Sequence, residues 1–310
     1  MLLSDLLEEY LLDCRIRNLS KRTIESYKFQ LTVFVRYIND EMSLNDVTAI
    51  KKVHIKKFLL NCQEEGKKET YINTLLKSIK IFYRYIYEEY EIENVVKDIR
   101  YLKEKKLLLK TFTDEEVAGL IKFYNKSGYV NQRNKLIIEI MADAGLRVSE
   151  VRNLKNSDVK EGYLQFVGKG NKERVVRMSP YLEKSILKYK RVKIGYFNDL
   201  RNYREVEDFL FVSKSGRQLK NNVLLEKVVK DACIATNVRD EIQRKSCHTL
   251  RHFYAQKLLK NGTNLYAISR LLGHSSIKTT QTYLNSITDA EILSSAESTP
   301  LEKLIRDGKL

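Results

Sequence analysis

The C-terminal third of the chain contains a set of side chains suited to chemistry on phosphates. In order, these are His248, Arg251, His274 and Tyr283. An arginine guanidinium is a planar fork of donors that binds a phosphate through two parallel hydrogen bonds. Histidine exchanges protons near neutral pH, and a tyrosine phenol becomes a covalent nucleophile once a base removes its proton. This combination predicts the transfer of a phosphodiester bond onto Tyr283.

The order of these residues carries more information than their types. His248 and Arg251 are three residues apart, so on a helix their side chains project from one face. The adjacent His252 is more typical of a structural histidine. Tyr283 is one of 19 tyrosines, and it is singled out by its place after the other three side chains.

A second arginine, Arg147, follows Gly145 at a predicted helix start, with Glu150 three residues further along. The first backbone N–H groups of a helix lack partners within the helix, which makes this position suitable for an anion. The alternative is an exposed Arg–Glu pair of little energetic value. Arg147 is therefore a candidate phosphate ligand, and Glu150 a candidate supporting residue.

Lys169 lies between two glycines at the tip of a predicted β-hairpin. The residue types of Tyr163–Val167 and 174–178 predict the two strands, and residues 209–212 predict a third strand. Glycine permits the positive φ angles of a tight turn. A lysine at this tip is either an ordinary turn residue or a proton donor with the reach to protonate a leaving oxygen.

The first 93 residues are predicted to be helical. Apolar side chains recur at helical spacing over residues 20–38 and 69–89. On the second of these helices, Lys77, Lys80 and Arg84 are spaced so that they share the opposite face. Such a face is either ordinary solvated surface or a binding face for DNA phosphates, and the helix alone does not decide between them.

A basic segment over residues 94–110 is predicted to link two domains. Thr113 and Glu116 then have the spacing of a capping box, which marks the first helix of a second domain. An apolar helix over 131–144 is expected to end at Gly145. The predicted organisation is a helical domain over 1–93, the linker 94–110, a domain of helices with a small β-sheet over 111–287, and a tail over 288–310.

Composition restricts the class of partner. Lys and Arg number 56 against 40 Asp and Glu, a formal net charge of +16, which favours nucleic acid ahead of a membrane. The four cysteines are scattered, which argues against a disulfide framework and against a metal site. The sequence has no apolar run long enough to cross a bilayer and no basic start typical of a signal peptide, so we expect a cytoplasmic protein.

In combination, these motifs resemble the tyrosine recombinase family, which includes phage integrases and Xer-type recombinases. Residues 145–150 resemble the family's first arginine box, and residues 168–174 its lysine-bearing hairpin segment. Residues 248–252 resemble the His-x-x-Arg box, and residues 271–275 the Gly-His box. Tyr283 stands where the family has its nucleophile.

The resemblance implies a mainly α fold with a small β-sheet. A helical core-binding (SAM-like) domain, whose opening helix is matched by residues 20–38, would join an α+β catalytic domain to form a C-shaped clamp on double-stranded DNA. The implied reaction needs no cofactor, because the bond energy is kept in a 3′-phosphotyrosine. A homotetramer on two DNA sites would exchange strands, with or without a second recombinase or an accessory protein.

The resemblance also implies a role for each candidate residue. Three side chains are expected to hold the non-bridging oxygens of the scissile phosphate: Arg147, Arg251 and His274. Tyr283 attacks the phosphorus, His248 acts as the base, and Lys169 protonates the departing 5′ oxygen. Glu150 is expected to orient the helix of the first arginine box. The tail over 288–310 is expected to dock on a neighbouring protomer, and the alternative is that it folds back onto its own domain.

Three functions are compatible with the sequence. The favoured one is a site-specific recombinase that acts in integration or excision of a mobile element, or in Xer-like dimer resolution. A type IB topoisomerase would use the same cleavage chemistry but would relax supercoils as a monomer without site preference. A DNA-binding architectural protein that has lost catalysis is the third, and the complete set of six catalytic positions argues against it.

Overall fold

The computed structural model describes residues 1–104, 110–167, 173–199, 205–242, 244–273 and 276–281. The chain divides into two compact units, Met1–Leu107 and Leu108–Leu310, each with its own hydrophobic core. The described residues are mainly helical and include one small antiparallel sheet, which confirms the predicted fold class. None of the described helices has the length and apolar content that a membrane span requires.

The first unit consists of helices packed around an aromatic core. Its helices are α1 (Leu3–Ile16), α2 (Lys21–Met42), α3 (Lys52–Glu64) and α4 (Glu69–Tyr90), with a short 3-10 helix at Val47–Ala49. α2 begins where the sequence predicts, because the Ser20 hydroxyl accepts a hydrogen bond from the Thr23 N–H. Large aromatic side chains from all four helices are fully buried: Tyr10, Phe34, Phe58, Phe82 and Tyr83.

Part of the predicted linker, residues 94–110, belongs to the core of the first unit. Val96 and Ile99 are buried among the helices, with 0% and 6% exposure. The Asn73 side chain donates to the Leu102 carbonyl at 2.9 Å and accepts from the Leu102 N–H at 2.8 Å. Two apolar side chains and one buried amide thus hold this part of the segment against the first unit, while its described basic side chains stay exposed.

The second unit opens with the predicted capping box. The Thr113 hydroxyl accepts from the Glu116 N–H at 3.2 Å, and the Glu116 carboxylate accepts from the Thr113 N–H at 2.8 Å. This cap begins α5 (Asp114–Phe123). The other described helices are α6 (Tyr129–Ala144), α7 (Val148–Asn153), α8 (Pro180–Asn198), α9 (Val223–Ala235), α10 (Cys247–Lys260), α11 (Leu265–Leu272) and α12 (Ile277–Gln281). α6 is central, because it contacts α5, α7, α8, α9 and α10.

A three-stranded antiparallel sheet completes the described part of this unit. Its order is β1 (Val159–Lys160), β2 (Tyr163–Val167) and β3 (Glu173–Arg177). In the β2–β3 hairpin, Leu164 pairs with Val176, and Phe166 pairs with Arg174. The predicted hairpin is confirmed, whereas the two-residue β1 was not foreseen.

The third strand predicted over residues 209–212 is wrong. In the described chain, Val212 forms an isolated bridge, and the segment does not join the three-stranded sheet. The segment is nevertheless buried, since the Tyr129 hydroxyl donates to the Val212 carbonyl at 2.8 Å and the Tyr189 hydroxyl donates to the Leu210 carbonyl at 3.0 Å. Side chains here satisfy carbonyl groups that an adjacent strand would otherwise satisfy, and the Leu210 N–H donates to the Leu154 carbonyl at 2.7 Å.

Candidate active site

Arg147 and Glu150 lie together at the start of α7. The Glu150 carboxylate accepts from the Arg147 backbone N–H at 2.7 Å and from its guanidinium at 2.9 Å. The same guanidinium donates to the Gly273 carbonyl at 2.7 Å. Arg147 is therefore oriented by a carboxylate on its own helix and by a turn distant in sequence, while its side chain remains 40% exposed.

Arg251 reaches the same place from α10. Its guanidinium donates to the Gly145 carbonyl at 2.8 Å and to the Leu272 carbonyl at 2.6 Å, and it lies 3.8 Å from the Glu150 carboxylate. The side chain is only 3% exposed. Two turns, one after α6 and one after α11, thus fix the guanidinium through their carbonyl oxygens.

Gly145 ends α6, as predicted, and its residue type is required by two constraints. Its φ angle is 59°, in the left-handed region that favours glycine. A Cβ atom at this position would lie 2.1 Å from the Cδ1 atom of the Tyr254 ring. The chain can therefore bring the Gly145 carbonyl to Arg251 only because no side chain separates the turn from α10.

Sequence reasoning missed a third arginine at this site, Arg174 on β3. Its guanidinium donates to the two Glu150 carboxylate oxygens at 3.1 and 3.3 Å and to the Leu272 carbonyl at 2.8 Å. Its side chain is 8% exposed. Burial lowers the pKa of the guanidinium, and the Glu150 carboxylate opposes that shift. Strand alternation was the available signal, because it places Arg174 on the same face as the buried Val176.

We refer to Arg147, Arg174 and Arg251, together with Glu150, as the arginine cluster. Arg147 is the N-cap of α7 and Glu150 lies in its first turn, while the other two arginines come from β3 and α10. The turn at Leu272–Gly273 accepts hydrogen bonds from all three guanidinium groups. Three cations around one carboxylate leave a net positive charge. Such an assembly of fixed guanidinium groups is suited to holding a phosphate.

His248 lies one turn before Arg251 on α10, and it is exposed. Partial loss of solvation, followed by the charges of Arg251 and Arg244, holds the pKa of His248 below its ordinary value of 6.5. Its ring meets the half-buried His252 ring edge to face, with 4.1 Å between the centroids. A histidine that stays neutral at pH 7 is able to accept a proton there.

Three predicted catalytic residues, Lys169, His274 and Tyr283, lie outside the described residues. The described part of the site therefore brings together Arg147, Glu150, Arg251 and His248 from the predicted set. The added member is Arg174.

The predicted DNA-binding face of α4 consists of Lys77, Lys80 and Arg84, and we call it the α4 basic face. Lys77 and Arg84 are exposed. Lys80 is half-buried, and its ammonium group donates to the Lys97 carbonyl at 3.0 Å and lies 5.4 Å from the centre of the Tyr101 ring. Lys80 therefore holds the segment that follows α4. The spacing of charges along the helix did not predict this contact.

Comparison with known families accounts for both units. Residues 110–289 match the phage integrase family, and residues 7–90 match the N-terminal SAM-like domain of phage integrases. The tyrosine recombinase XerD of Oceanobacillus iheyensis is 31% identical over 274 residues, which cover 86% of this chain and 88% of that protein.

Solved structures agree with the fold. A XerH site-specific recombinase in a post-cleavage complex with its palindromic difH substrate superposes with a TM-score of 0.73 at 22% identity, covering 94% of this chain and 83% of that one. A lambda integrase dimer bound to a COC′ core site gives a TM-score of 0.74 at 18% identity, covering 93% of this chain and 97% of that one. At these identities the likeness establishes the fold alone.

An arginine cluster carried by an integrase-type catalytic unit defines an enzyme that breaks and rejoins DNA strands. The chain belongs to the phage integrase family, the tyrosine recombinases.

Proposed function

We propose that this protein is a site-specific recombinase that cleaves DNA through a 3′-phosphotyrosine intermediate at Tyr283. The arginine cluster is the observation that carries the proposal. Arg147 and Arg251 stand about a hundred residues apart in the sequence, yet their guanidinium groups donate to adjacent carbonyls of the Leu272–Gly273 turn. That turn immediately precedes His274 in the sequence.

The cleavage step is a transesterification. The Tyr283 oxygen forms a bond to the scissile phosphorus as the bond from phosphorus to the 5′ oxygen breaks. The negative charge on the phosphate increases in the pentacoordinate transition state, and Arg147, Arg251 and His274 stabilise it. Losing one preorganised donor of this kind costs roughly 10²–10³ in rate. Attack of a 5′-hydroxyl on the phosphotyrosine reverses the step and rejoins a strand.

Two proton transfers accompany this exchange. His248 accepts the phenol proton of Tyr283, a role supported by a pKa that is held below its ordinary value. Lys169 donates a proton to the departing 5′ oxygen. Glu150 orients Arg147 through two hydrogen bonds. Because the phosphodiester bond energy passes into the phosphotyrosine and back, no cofactor is needed.

The first unit is proposed to bind DNA together with the catalytic unit. The exposed Lys77 and Arg84 support phosphate contacts by α4. Four protomers on two DNA sites would form the recombining complex, with the tail over 288–310 of each docked on its neighbour. Because its substrate is DNA, the protein is proposed to act in the cytoplasm.

The biological reaction is proposed to be Xer-like, between two copies of one site. Support comes from the XerD relative, which aligns over 86% of this chain. Integration or excision of a mobile element would use the same chemistry. The two roles differ in the DNA they join, so the trapped DNA distinguishes a single chromosomal locus from the ends of an element.

The test is covalent capture of the substrate. Wild-type protein is incubated with fragmented genomic DNA of its source organism, and DNA that stays attached under denaturing conditions is sequenced. We expect enrichment of one locus with wild type and no attached DNA with Tyr283→Phe. Tyr266→Phe is the matched control, because Tyr266 is 66% exposed on α11, and it should behave as wild type.

Two results would contradict the proposal. DNA still attached to Tyr283→Phe would place the nucleophile elsewhere. Attachment without sequence preference, together with relaxation of supercoiled plasmids of unrelated sequence, would instead identify a type IB topoisomerase.

A further inference from the structure

The buried Arg174 lies between parts of the site that belong to different elements. From β3 it donates to both oxygens of Glu150 on α7 and to the carbonyl of Leu272 at the end of α11. Its side chain also lies against the next turn residue, since a Cβ atom on Gly273 would be 3.0 Å from the Arg174 Nη1 atom. Arg174 thus fills the space beneath the turn that Arg147 and Arg251 also contact.

The charges of the cluster depend on Arg174. Glu150 lies within 4 Å of all three guanidinium groups, at 2.9 Å from Arg147, 3.1 Å from Arg174 and 3.8 Å from Arg251. With Arg174 present, the four side chains carry a net charge of two positive units. Without it, one carboxylate would offset half of the charge of Arg147 and Arg251.

Burial strengthens the effect of Arg174 on the net charge of the cluster. Glu150 is 12% exposed and Arg174 is 8% exposed, so solvent screens their interaction poorly. A phosphodiester that gains a second negative charge in its transition state is stabilised most by a site whose positive charge is already in place. An arginine that pairs with the Glu150 carboxylate, and does not itself bind the substrate, would keep the positive charge of the other two arginines in place.

We propose that Arg174 is a positioning residue that neutralises Glu150, so that the charges of Arg147 and Arg251 are left for the scissile phosphate. Arg174 acts through Glu150 and does not touch the DNA. The inference rests on the proposed function, because it assumes that the phosphate binds at Arg147 and Arg251. This role differs from a packing role in one testable respect. If Arg174 acts through its charge, removing the negative charge of Glu150 should compensate for losing Arg174.

The experiment compares Arg174→Met, Glu150→Gln and the double variant. Methionine keeps the unbranched apolar stem of arginine without its charge, and glutamine keeps an oxygen that can accept from the Arg147 N–H. The probe is a nicked duplex of the captured locus, on which the rate of covalent complex formation and the affinity for single-site binding are both measured. Thermal unfolding of each variant is recorded in parallel.

The expected result is a charge rescue. Arg174→Met should lower the cleavage rate by roughly 10²–10³, comparable to the loss of one phosphate donor, and should leave the affinity for the duplex nearly unchanged. The double variant restores the net charge of two positive units, and it should cleave at least about tenfold faster than Arg174→Met, since contacting charged residues couple strongly. Arg174→Lys, which keeps the charge, should retain more activity than Arg174→Met.

Three outcomes would overturn the inference. The first is a double variant no faster than Arg174→Met, and the second is an Arg174→Lys variant as slow as Arg174→Met. The third is loss of the folded state in both Arg174→Met and the double variant, which would assign Arg174 to packing. A failure of the proposed function itself is seen separately, because wild type would then form no covalent complex on the same duplex.

Discussion

Each unit carries a group of three cationic side chains, the α4 basic face in the first unit and the guanidinium groups of the arginine cluster in the second, and the two groups differ in how they are held. The three arginines of the cluster come from the N-cap of α7, from β3 and from α10, and carbonyls and a carboxylate fix every guanidinium. The α4 basic face draws all three residues from one helix. Of these, Lys77 and Arg84 are exposed, and Lys80 is held by a backbone carbonyl.

This difference shows which kind of sequence pattern predicts function. Regular spacing on one helix follows from any solvated helix face, and it failed to distinguish Lys80 from its neighbours. Convergence of residues distant in sequence costs conformational freedom, because several elements must be fixed to bring the charges together. Such convergence is therefore the stronger evidence for a site.

The largest effect is expected from Arg251→Lys. A lysine keeps the charge but cannot reproduce the two guanidinium hydrogen bonds to Gly145 and Leu272. Cleavage of the nicked duplex should fall by roughly 10²–10³ with single-site binding retained. The control is Arg133→Lys, since Arg133 is equally buried at 4% exposure and donates to the Val212 carbonyl away from the cluster. Equal losses of cleavage in the two variants would show that Arg251 contributes no more to cleavage than a buried arginine outside the cluster.

His248→Asn should slow cleavage by about 10², the lower range for loss of a general base. Because the pKa of His248 is lowered from 6.5, wild-type cleavage should hold near neutral pH and fall at pH values below 6.5. The same shift makes the folded state lose stability as pH falls below 6.5, because the unfolded chain binds the proton more readily. His252→Asn is the control and should keep the acidic limb of the rate profile. Persistence of that limb in His248→Asn would assign it to another group.

Gly145→Ala tests whether the turn beneath Arg251 tolerates a side chain. A φ of 59° and a Cβ only 2.1 Å from Tyr254 should together lower the free energy of unfolding by roughly 2–4 kcal/mol. Gly162→Ala has a similar φ of 75° with no described atom within 4 Å of its Cβ, so backbone strain alone should cost about 1–2 kcal/mol. Urea unfolding measures both. Similar losses would show that α10 yields to the added methyl group.

The smallest effects are expected on the α4 basic face. Lys77→Ala should weaken DNA binding uniformly across sequences and reduce the slope of log affinity against log salt by about 1, without changing thermal stability. Lys80→Ala should instead destabilise the first unit by about 1 kcal/mol through the lost bond to Lys97. Binding titrations over a range of salt concentrations and thermal melts separate the two. A stability loss in Lys77→Ala, or none in Lys80→Ala, would contradict the division between them.

Local features were predictable from the sequence because local physics determines them. The capping box at Thr113 depends on two side chains three residues apart, and Gly145 follows from the left-handed conformation at a helix end. The β2–β3 hairpin follows from strand composition around a glycine-containing turn. Arg147, Glu150 and Arg251 were found because their motifs are ordered as in the recombinase family.

Features that depend on distant partners were not predictable. Residues 209–212 have the composition of a strand, but two of their carbonyls accept from Tyr129 and Tyr189 on two helices. The acceptor of Lys80 is a backbone carbonyl 17 residues away. Arg174 offered one local clue, its place on the apolar face of β3, but its partners Glu150 and Leu272 could be identified only from the tertiary structure.

The most direct test of the central claim is to locate the DNA on the protein. Wild-type covalent complexes, trapped on the nicked duplex, are digested with a nuclease and with trypsin, and the peptide that carries the residual nucleotide is sequenced by mass spectrometry. Trypsin cuts after Lys278 and Lys303, so the predicted adduct lies on peptide 279–303, whose single tyrosine is Tyr283. An adduct on peptide 261–270, which contains Tyr266, or on any other peptide would contradict the assignment of Tyr283 as the nucleophile served by the arginine cluster.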